Sequence, residues 1–232
     1  LSFDRRLQVA RYAEVFRADR RDGTGQSVAF KRGLRETKEG NARLRREISV
    51  QRALDHPNVM RVLDADPIEG WYTMPLAAGS LYKLHEERRL GESPEQVALH
   101  VIDQVSRGLE HAHDIRYVHR DVTPGNILAY VGAAGTIRWV IGDWGLVRRP
   151  LGNTSNPLTG NKGLGTAGFA APETYEGNAH EVDPRADVYG LGRVVAWLLT
   201  GRWPEPHPAL PGERPLRGGV AEGTSLEPER RL

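Results

Sequence analysis

The sequence predicts an α+β chain in which a small sheet carrying one helix precedes a mainly helical remainder. Three observations lead there. Short apolar runs separated by turn residues fill the first 74 or so residues. Stripes of helical period dominate the rest of the chain. The composition, 39% apolar and 27% charged over 232 residues, is that of a globular chain able to bury one good core or two small packed lobes.

Each element has a local reason. Leu7 and Val9, then Val15 and Phe16, read as strand ahead of a turn at Asp22-Gly23-Thr24-Gly25, and Val28-Ala29-Phe30 is the next apolar run. Over 40–54, Leu44, Ile48, Ala53 and Leu54 recur among Arg and Glu, a helical pattern stopped by His56-Pro57-Asn58. Val59–Leu63 and Trp71–Met74 are predicted as short strands. Ser93-Pro94 opens a long helix with proline in its first turn, and Val97, Val101, Ile102, Val105 and Leu109 give it a buried stripe. Ile127–Tyr130 and Ile137–Ile141 flank Gly132–Gly135 as a hairpin. Residues 146–170, rich in Gly, Asn and Thr, form a long loop of the kind that is functional or disordered. Asp187–Thr200 is a second strongly apolar helix, and six prolines between Gly201 and Pro228 predict irregular structure. There is no internal repeat.

Composition excludes several classes. Zero cysteine rules out disulfides, cysteine nucleophiles and thiolate metal sites, and fits a cytoplasmic location. No apolar run approaches the ~20 residues that span a bilayer, and no secretory signal opens the chain, so no membrane contact is expected from this segment. A net charge of +2 is too small to argue for nucleic acid, despite a pI near 9.0. The cations are nearly all arginine. Lys31, Lys38, Lys83 and Lys162 are the only lysines, which singles out Lys31 at the end of an apolar run. The abrupt ends at Leu1-Ser2-Phe3 and Arg230-Arg231-Leu232 lead to the expectation of a single domain taken from a longer chain.

The most informative segment is His119-Arg120-Asp121-Val122-Thr123-Pro124-Gly125-Asn126, which sets a carboxylate five residues before an amide in a short loop. Asp143-Trp144-Gly145 comes after one predicted strand. A carboxylate to take a hydroxyl proton, with an amide and a second carboxylate to hold magnesium, is the working set of a phosphoryl-transfer site. Magnesium suits such a set because it takes oxygen ligands from few carboxylates plus phosphate. Alone, Asp121 would read as a turn cap and Lys31 as a strand-end lysine reaching for water. Together they read as chemistry.

Val28-Ala29-Phe30-Lys31, Glu47, His56-Pro57-Asn58, His119-Arg120-Asp121 with Asn126, Asp143-Trp144-Gly145 and Ala171-Pro172-Glu173 come in an order and spacing that resembles the eukaryotic-type (Hanks-type) serine/threonine protein kinases, in a bacterial member. The resemblance runs from about Leu7 to Arg231. It implies a bilobal α+β fold: an antiparallel-sheet small lobe over about 1–74 with one helix, a hinge at 75–78, and a larger, mainly helical lobe over 79–232. It implies ATP with Mg2+ (or Mn2+) as cofactors and a protein substrate phosphorylated on serine or threonine. By the same resemblance, Lys31 anchors the α- and β-phosphates and pairs with Glu47, Asp121 orients the acceptor hydroxyl, and Asn126 and Asp143 ligate magnesium. Val15, Ala29 and Leu128 sandwich the adenine with Leu7 also in the nucleotide site, Met74 closes its back edge, and Pro75-Leu76-Ala77 is the hinge strand. Arg120 pairs with a phosphate on the segment 143–173, for which Thr154, Ser155 and Thr159 are candidates. Gly165-Thr166 forms the substrate-side loop, and Thr166 belongs with the regulatory residues. Glu173 paired with Arg231, Asp187 bracing the catalytic loop, and His119 in a stack linking the lobes are structural roles.

The pattern also departs from the family. Gln8, Ala10 and Ala13 stand where glycines let backbone approach phosphate. Thr123 replaces a lysine that contacts the transferring phosphate, removing some transition-state stabilisation. Trp144 replaces phenylalanine. Gln51, one turn beyond Glu47, places a polar side chain where an apolar inter-lobe residue is expected, which would make activation depend on a regulatory partner or a dimer at the small-lobe helix. Two other readings stay open: a pseudokinase, favoured by the lost glycines and Thr123, and a kinase-like small-molecule phosphotransferase, disfavoured by Gly165-Thr166 with Ala171-Pro172-Glu173.

Overall fold

The computed structural model describes residues 1–9, 13–34, 38–133, 135–147, 165–174, 182–205, 223–225 and 228–231. The first part is a five-stranded antiparallel sheet in the order β1-β2-β3-β5-β4. Its strands are β1 (Ser2–Val9), β2 (Ala13–Asp19), β3 (Ser27–Gly33), β4 (Asp64–Asp66) and β5 (Trp71–Pro75). Between β3 and β4 runs α1 (Lys38–Ala53), which lies on one face. Side chains alternate along a strand, and β3 shows the consequence. Ala29 joins Leu44 and Ile48 of α1 in one buried cluster, while Val28 and Phe30 join Ala18 on the opposite face. Lys31, in phase with Ala29, is thereby turned toward α1.

The larger part begins at β6 (Gly79–Ser80), which pairs with the hairpin β7 (Ile127–Val131) and β8 (Ile137–Ile141). Its helices are α2 (Leu81–Glu86), α3 (Pro94–Asp114) and α4 (Arg185–Thr200). A capping box starts α3: Gln96 N donates to Ser93 Oγ at 3.3 Å, and Ser93 N donates to Gln96 Oε1 at 3.2 Å. Val97, Val101, Val105 and Leu109 make its buried stripe, packed with Leu191, Val194, Val195 and Leu198 of α4 in the main core. Helix α4 starts two residues before the expected Asp187 and stops at Gly201, whose φ of 65° is left-handed. No helix among the described residues is long and apolar enough to cross a membrane.

One sequence expectation differs. Val59–Leu63 is not a strand of either sheet. It spans the seam between them: Val59 bridges Ile141 of β8, Met60 N donates to Ile141 O at 2.9 Å, and Leu63 N donates to Thr73 O at 2.8 Å. Its apolar residues signalled burial correctly, but its partners are split between two sheets. The seam is tight. A Cβ on Gly108 of α3 would lie 2.7 Å from Asn58 O, so only glycine lets the helix approach this closely.

Candidate active site

The charged cluster is assembled by strand register. Lys31 on β3 is the cross-strand partner of Tyr72 on β5, so both side chains face α1. Lys31 Nζ donates to Glu47 Oε1 at 2.7 Å and Oε2 at 2.9 Å, and to Asp143 Oδ1 at 3.2 Å. The Tyr72 hydroxyl donates to Glu47 Oε1 at 2.8 Å. Burial opposes the charge on Lys31, but Asp143 and Glu47 outweigh it and raise its pKa. Burial pushes Glu47 up, with Lys31 and the Tyr72 hydrogen bond pulling the other way. Burial also pushes Asp143 up, yet the charges of Lys31 and Arg43 hold its carboxyl at about 2, so it is ionised at any physiological pH.

Asp121 lies in the loop between α3 and β7. Asn126 Nδ2 donates to its carbonyl at 2.9 Å and to its Oδ2 at 3.2 Å. Thr166 donates to its Oδ1 twice, from backbone N at 3.0 Å and from Oγ1 at 2.9 Å. Burial and the neighbouring Asp143 raise the Asp121 pKa above the usual carboxylate range, against His119 and Thr166. The loop is strained where it matters: Arg120 has φ of 66° and Asp143 φ of 57°. A fully buried carboxylate holds the first of these, since Asp187 accepts from His119 N at 2.9 Å, Arg120 N at 2.8 Å and His113 Nε2 at 2.8 Å. His119 Nε2 bonds Gly142 O at 2.9 Å, and its ring meets Trp144 edge-on with centroids 4.6 Å apart.

The donor set suits magnesium. Asn126 turns its amide hydrogens to Asp121, which leaves its side-chain carbonyl oxygen as a potential ligand, and Asp143 is an ionised carboxylate. Among the described residues no group of three or more His, Asp or Glu could hold a metal alone. Two protein oxygens completed by phosphate and water is the arrangement magnesium accepts.

Residues 7–211 match the family model described as protein kinase domain. The chain belongs to the protein kinase family. The kinase domain is similar to the serine/threonine-protein kinase PknJ of Mycobacterium tuberculosis, 36% identical over 165 residues, which is 70% of this chain and 27% of that protein. It is similar to PknF of the same organism, 34% identical over 175 residues, covering 73% of this chain and 36% of the relative. PknB of Mycobacterium leprae is 31% identical over 170 residues, 70% of this chain and 26% of its own length. The chain thus spans about a quarter to a third of the curated relatives it matches.

The kinase domain gathers most of the residues expected at the adenine. Ala29, Met74, Val15, Leu76 and Leu128 share one apolar cluster between the sheet, β5 and β7. Ala77 comes next on the half-buried hinge. The Pro75 carbonyl accepts from Tyr130 Oη at 3.0 Å, a partner no motif announced. Leu7 lies apart on β1, 39% exposed and outside that cluster. Gln8 is exposed on β1 and Ala13 is buried at the start of β2, while Ala10 lies outside the described residues. Arg120 Nε donates to Leu146 O at 2.8 Å, at the start of the segment that carries Thr154, Ser155 and Thr159, which lie outside the described residues. Glu173 and Arg231 form a two-pronged ion pair, one prong at 3.0 Å.

Gln51 Oε1 and Trp144 Nε1 are buried polar atoms without a hydrogen-bond partner among the described residues. Gln51 lies on α1 and Trp144 on the Trp144–Leu146 turn that α1 packs against, and the Gln51 nitrogen donates to Met60 O at 3.3 Å. Tyr72 is the residue that sequence reasoning missed at the charged cluster. Its signal was its place opposite Lys31, visible only once the register between β3 and β5 is known.

Proposed function

We propose that this domain transfers the γ-phosphoryl group of ATP to serine or threonine hydroxyls of protein substrates, using Mg2+ held by Asn126 and Asp143. The observation that supports it most is the pair of hydrogen-bonded clusters in which Lys31 joins Glu47 to Asp143 while Asn126 and Thr166 fix Asp121. Lys31 brings a cation to the α- and β-phosphates, positioned by Glu47. Asp121 takes the acceptor hydroxyl proton, and its raised pKa, set by burial and the neighbouring Asp143, strengthens it as a base. When bound, magnesium neutralises phosphate charge. The kinase names of the mycobacterial relatives support serine and threonine as acceptors. Arg120 reads a phosphate on Thr154, Ser155 or Thr159, and a regulatory partner or second copy acts at α1, where Gln51 stands. A cytoplasmic location belongs to the same proposal.

The test is transfer of labelled phosphate from Mg2+-ATP to a generic basic protein, with Asp121→Asn removing the signal. Thr123, buried and uncharged beside Asp121, favours a second reading, a nucleotide-binding pseudokinase. That reading is favoured if ATP with magnesium raises the melting temperature while no phosphate is transferred.

A further inference from the structure

We propose that Tyr130 sets the base specificity of the nucleotide site: its hydroxyl satisfies the Pro75 carbonyl, so that purine nucleoside triphosphates bind with or without an exocyclic amine. This rests on the kinase reading above and widens the class of nucleotide that reading names. Tyr130 lies outside every motif that pointed to the reaction.

The carbonyl reaches Tyr130 by register. Thr73 O accepts from Leu63 N at 2.8 Å, and β4 pairs with β5 only over Trp71–Thr73. Peptide groups along a strand alternate between its two edges. Pro75, two residues on, thus turns its carbonyl to the same edge as Thr73, past the end of β4. Among the described residues no strand meets it there. Proline has no N–H, so at this residue the edge offers an acceptor alone. Ala78 N donates to Ala129 O at 2.9 Å, which draws the chain leaving β5 against β7. Tyr130 comes next on β7, and its Oη donates to Pro75 O at 3.0 Å.

The same strand lines the base site. Leu128 and Tyr130 are two apart on β7 and share one face, and both pack against the buried cluster that holds Ala29 and Met74. A flat ring seated on that cluster meets the Pro75 carbonyl at its rim, because Pro75 follows Met74 directly. The hydroxyl is kept as a donor: burial pushes Tyr130 up to about 12, against the pull of Arg138. Arg138 is its cross-strand partner on β8, with the guanidinium carbon 6.0 Å from the ring centroid.

Without Tyr130 the carbonyl would rely on the base for its donor. A base lacking the amine would then leave an acceptor shut from water and unpaired, which is costly, and sites built that way reject the analogue strongly. A carbonyl oxygen has two acceptor positions. With adenine, the amine and the hydroxyl share it. With an amine-free base, the hydroxyl alone suffices.

The experiment compares ATP with purine riboside triphosphate, which is ATP without its exocyclic amine. Kd is read by calorimetry with Mg2+ in the Asp121→Asn background, which prevents turnover. The amine-free nucleotide should bind within about threefold of ATP when Tyr130 is present, and about tenfold or more weaker than ATP in Tyr130→Phe. Tyr130→Leu, which removes the ring as well, should match Tyr130→Phe. A general loosening of the fold would weaken both nucleotides alike and leave their ratio unmoved. The proposal is overturned if loss of the amine already costs about tenfold with Tyr130 in place, if the ratio is unchanged in Tyr130→Phe, or if it rises in Tyr130→Leu alone. Phosphate transfer to a generic basic protein is scored separately on the active protein. Tolerance of the amine-free nucleotide without transfer refutes catalysis and leaves the role of Tyr130 standing, whereas transfer with full dependence on the amine does the reverse.

Discussion

Replacing Tyr72 by phenylalanine deletes one oxygen from a fully buried ring and leaves the ring's packing in place. What is lost is the 2.8 Å hydrogen bond to Glu47 Oε1. A hydrogen bond to a charged group contributes about 1.5–3 kcal/mol, and the vacated space is too small for water to compensate. At about 2 kcal/mol, with about 2–4 °C per kcal/mol for a chain of this size, the melting temperature should fall by about 4–8 °C. The loss should also depend on pH. The Tyr72 bond lowers the Glu47 pKa, against burial that raises it. Removing the bond raises it further, so the variant's native state holds its proton more readily. Protonated Glu47 needs the bond least. The deficit should therefore be small at acid pH and grow as pH rises through the Glu47 titration. Tyr72 itself stays protonated throughout, since burial and the Glu47 charge push it far above its ordinary range. Thermal unfolding at pH 5 and pH 8, with the Mg2+-ATP dissociation constant alongside, measures all of this. A shift under about 1 °C at pH 8, or a larger deficit at pH 5 than at pH 8, refutes the view that Tyr72 supports the ion pair.

Thr166→Val keeps the backbone donor to Asp121 and removes the hydroxyl one. The hydroxyl bond lowers the Asp121 pKa, so its loss raises it, and the acid limb of the kcat–pH profile should move to higher pH. Asp143 is depressed to about 2, so its stabilising ionised form is complete above the usual carboxylate range and lost as pH falls toward 2. Lys31→Met removes the main opposing charge, so the Asp143 pKa rises; stability at neutral pH should fall while its decline with acid becomes shallower, as acid titration followed by circular dichroism would show. Gly168→Ala sets a Cβ 2.1 Å from Pro204 O at a φ of +88°, and should cost about 2 kcal/mol or more by denaturant titration, on the order of the left-handed penalty plus the clash. Thr123→Lys returns a cation beside Asp121 and should raise kcat by roughly tenfold.

Local signals were readable without coordinates. Ser93 and Gln96 announce the start of α3, and the hairpin of β7 and β8 is written in its apolar runs around Gly132–Gly135. Asp121, Asn126 and Asp143 stood out by spacing, and Lys31 and Glu47 by the family resemblance; hydrogen bonds join Lys31 to Glu47 and Asp143, and Asn126 to Asp121. Contacts between distant segments were not readable. Val59–Leu63 looks like any short strand because burial, not pairing, sets its composition. Tyr72 and Tyr130 owe their contacts to register and packing, which no local window contains.

The Gln51 carbonyl and the Trp144 indole are each buried and without a hydrogen-bond partner among the described residues. Each such atom costs the seated form about 1–3 kcal/mol, a cost an apolar pair would not carry. Letting solvent into the joint recovers it. An apolar pair at these two positions would therefore seat the helix that bears Glu47 more firmly.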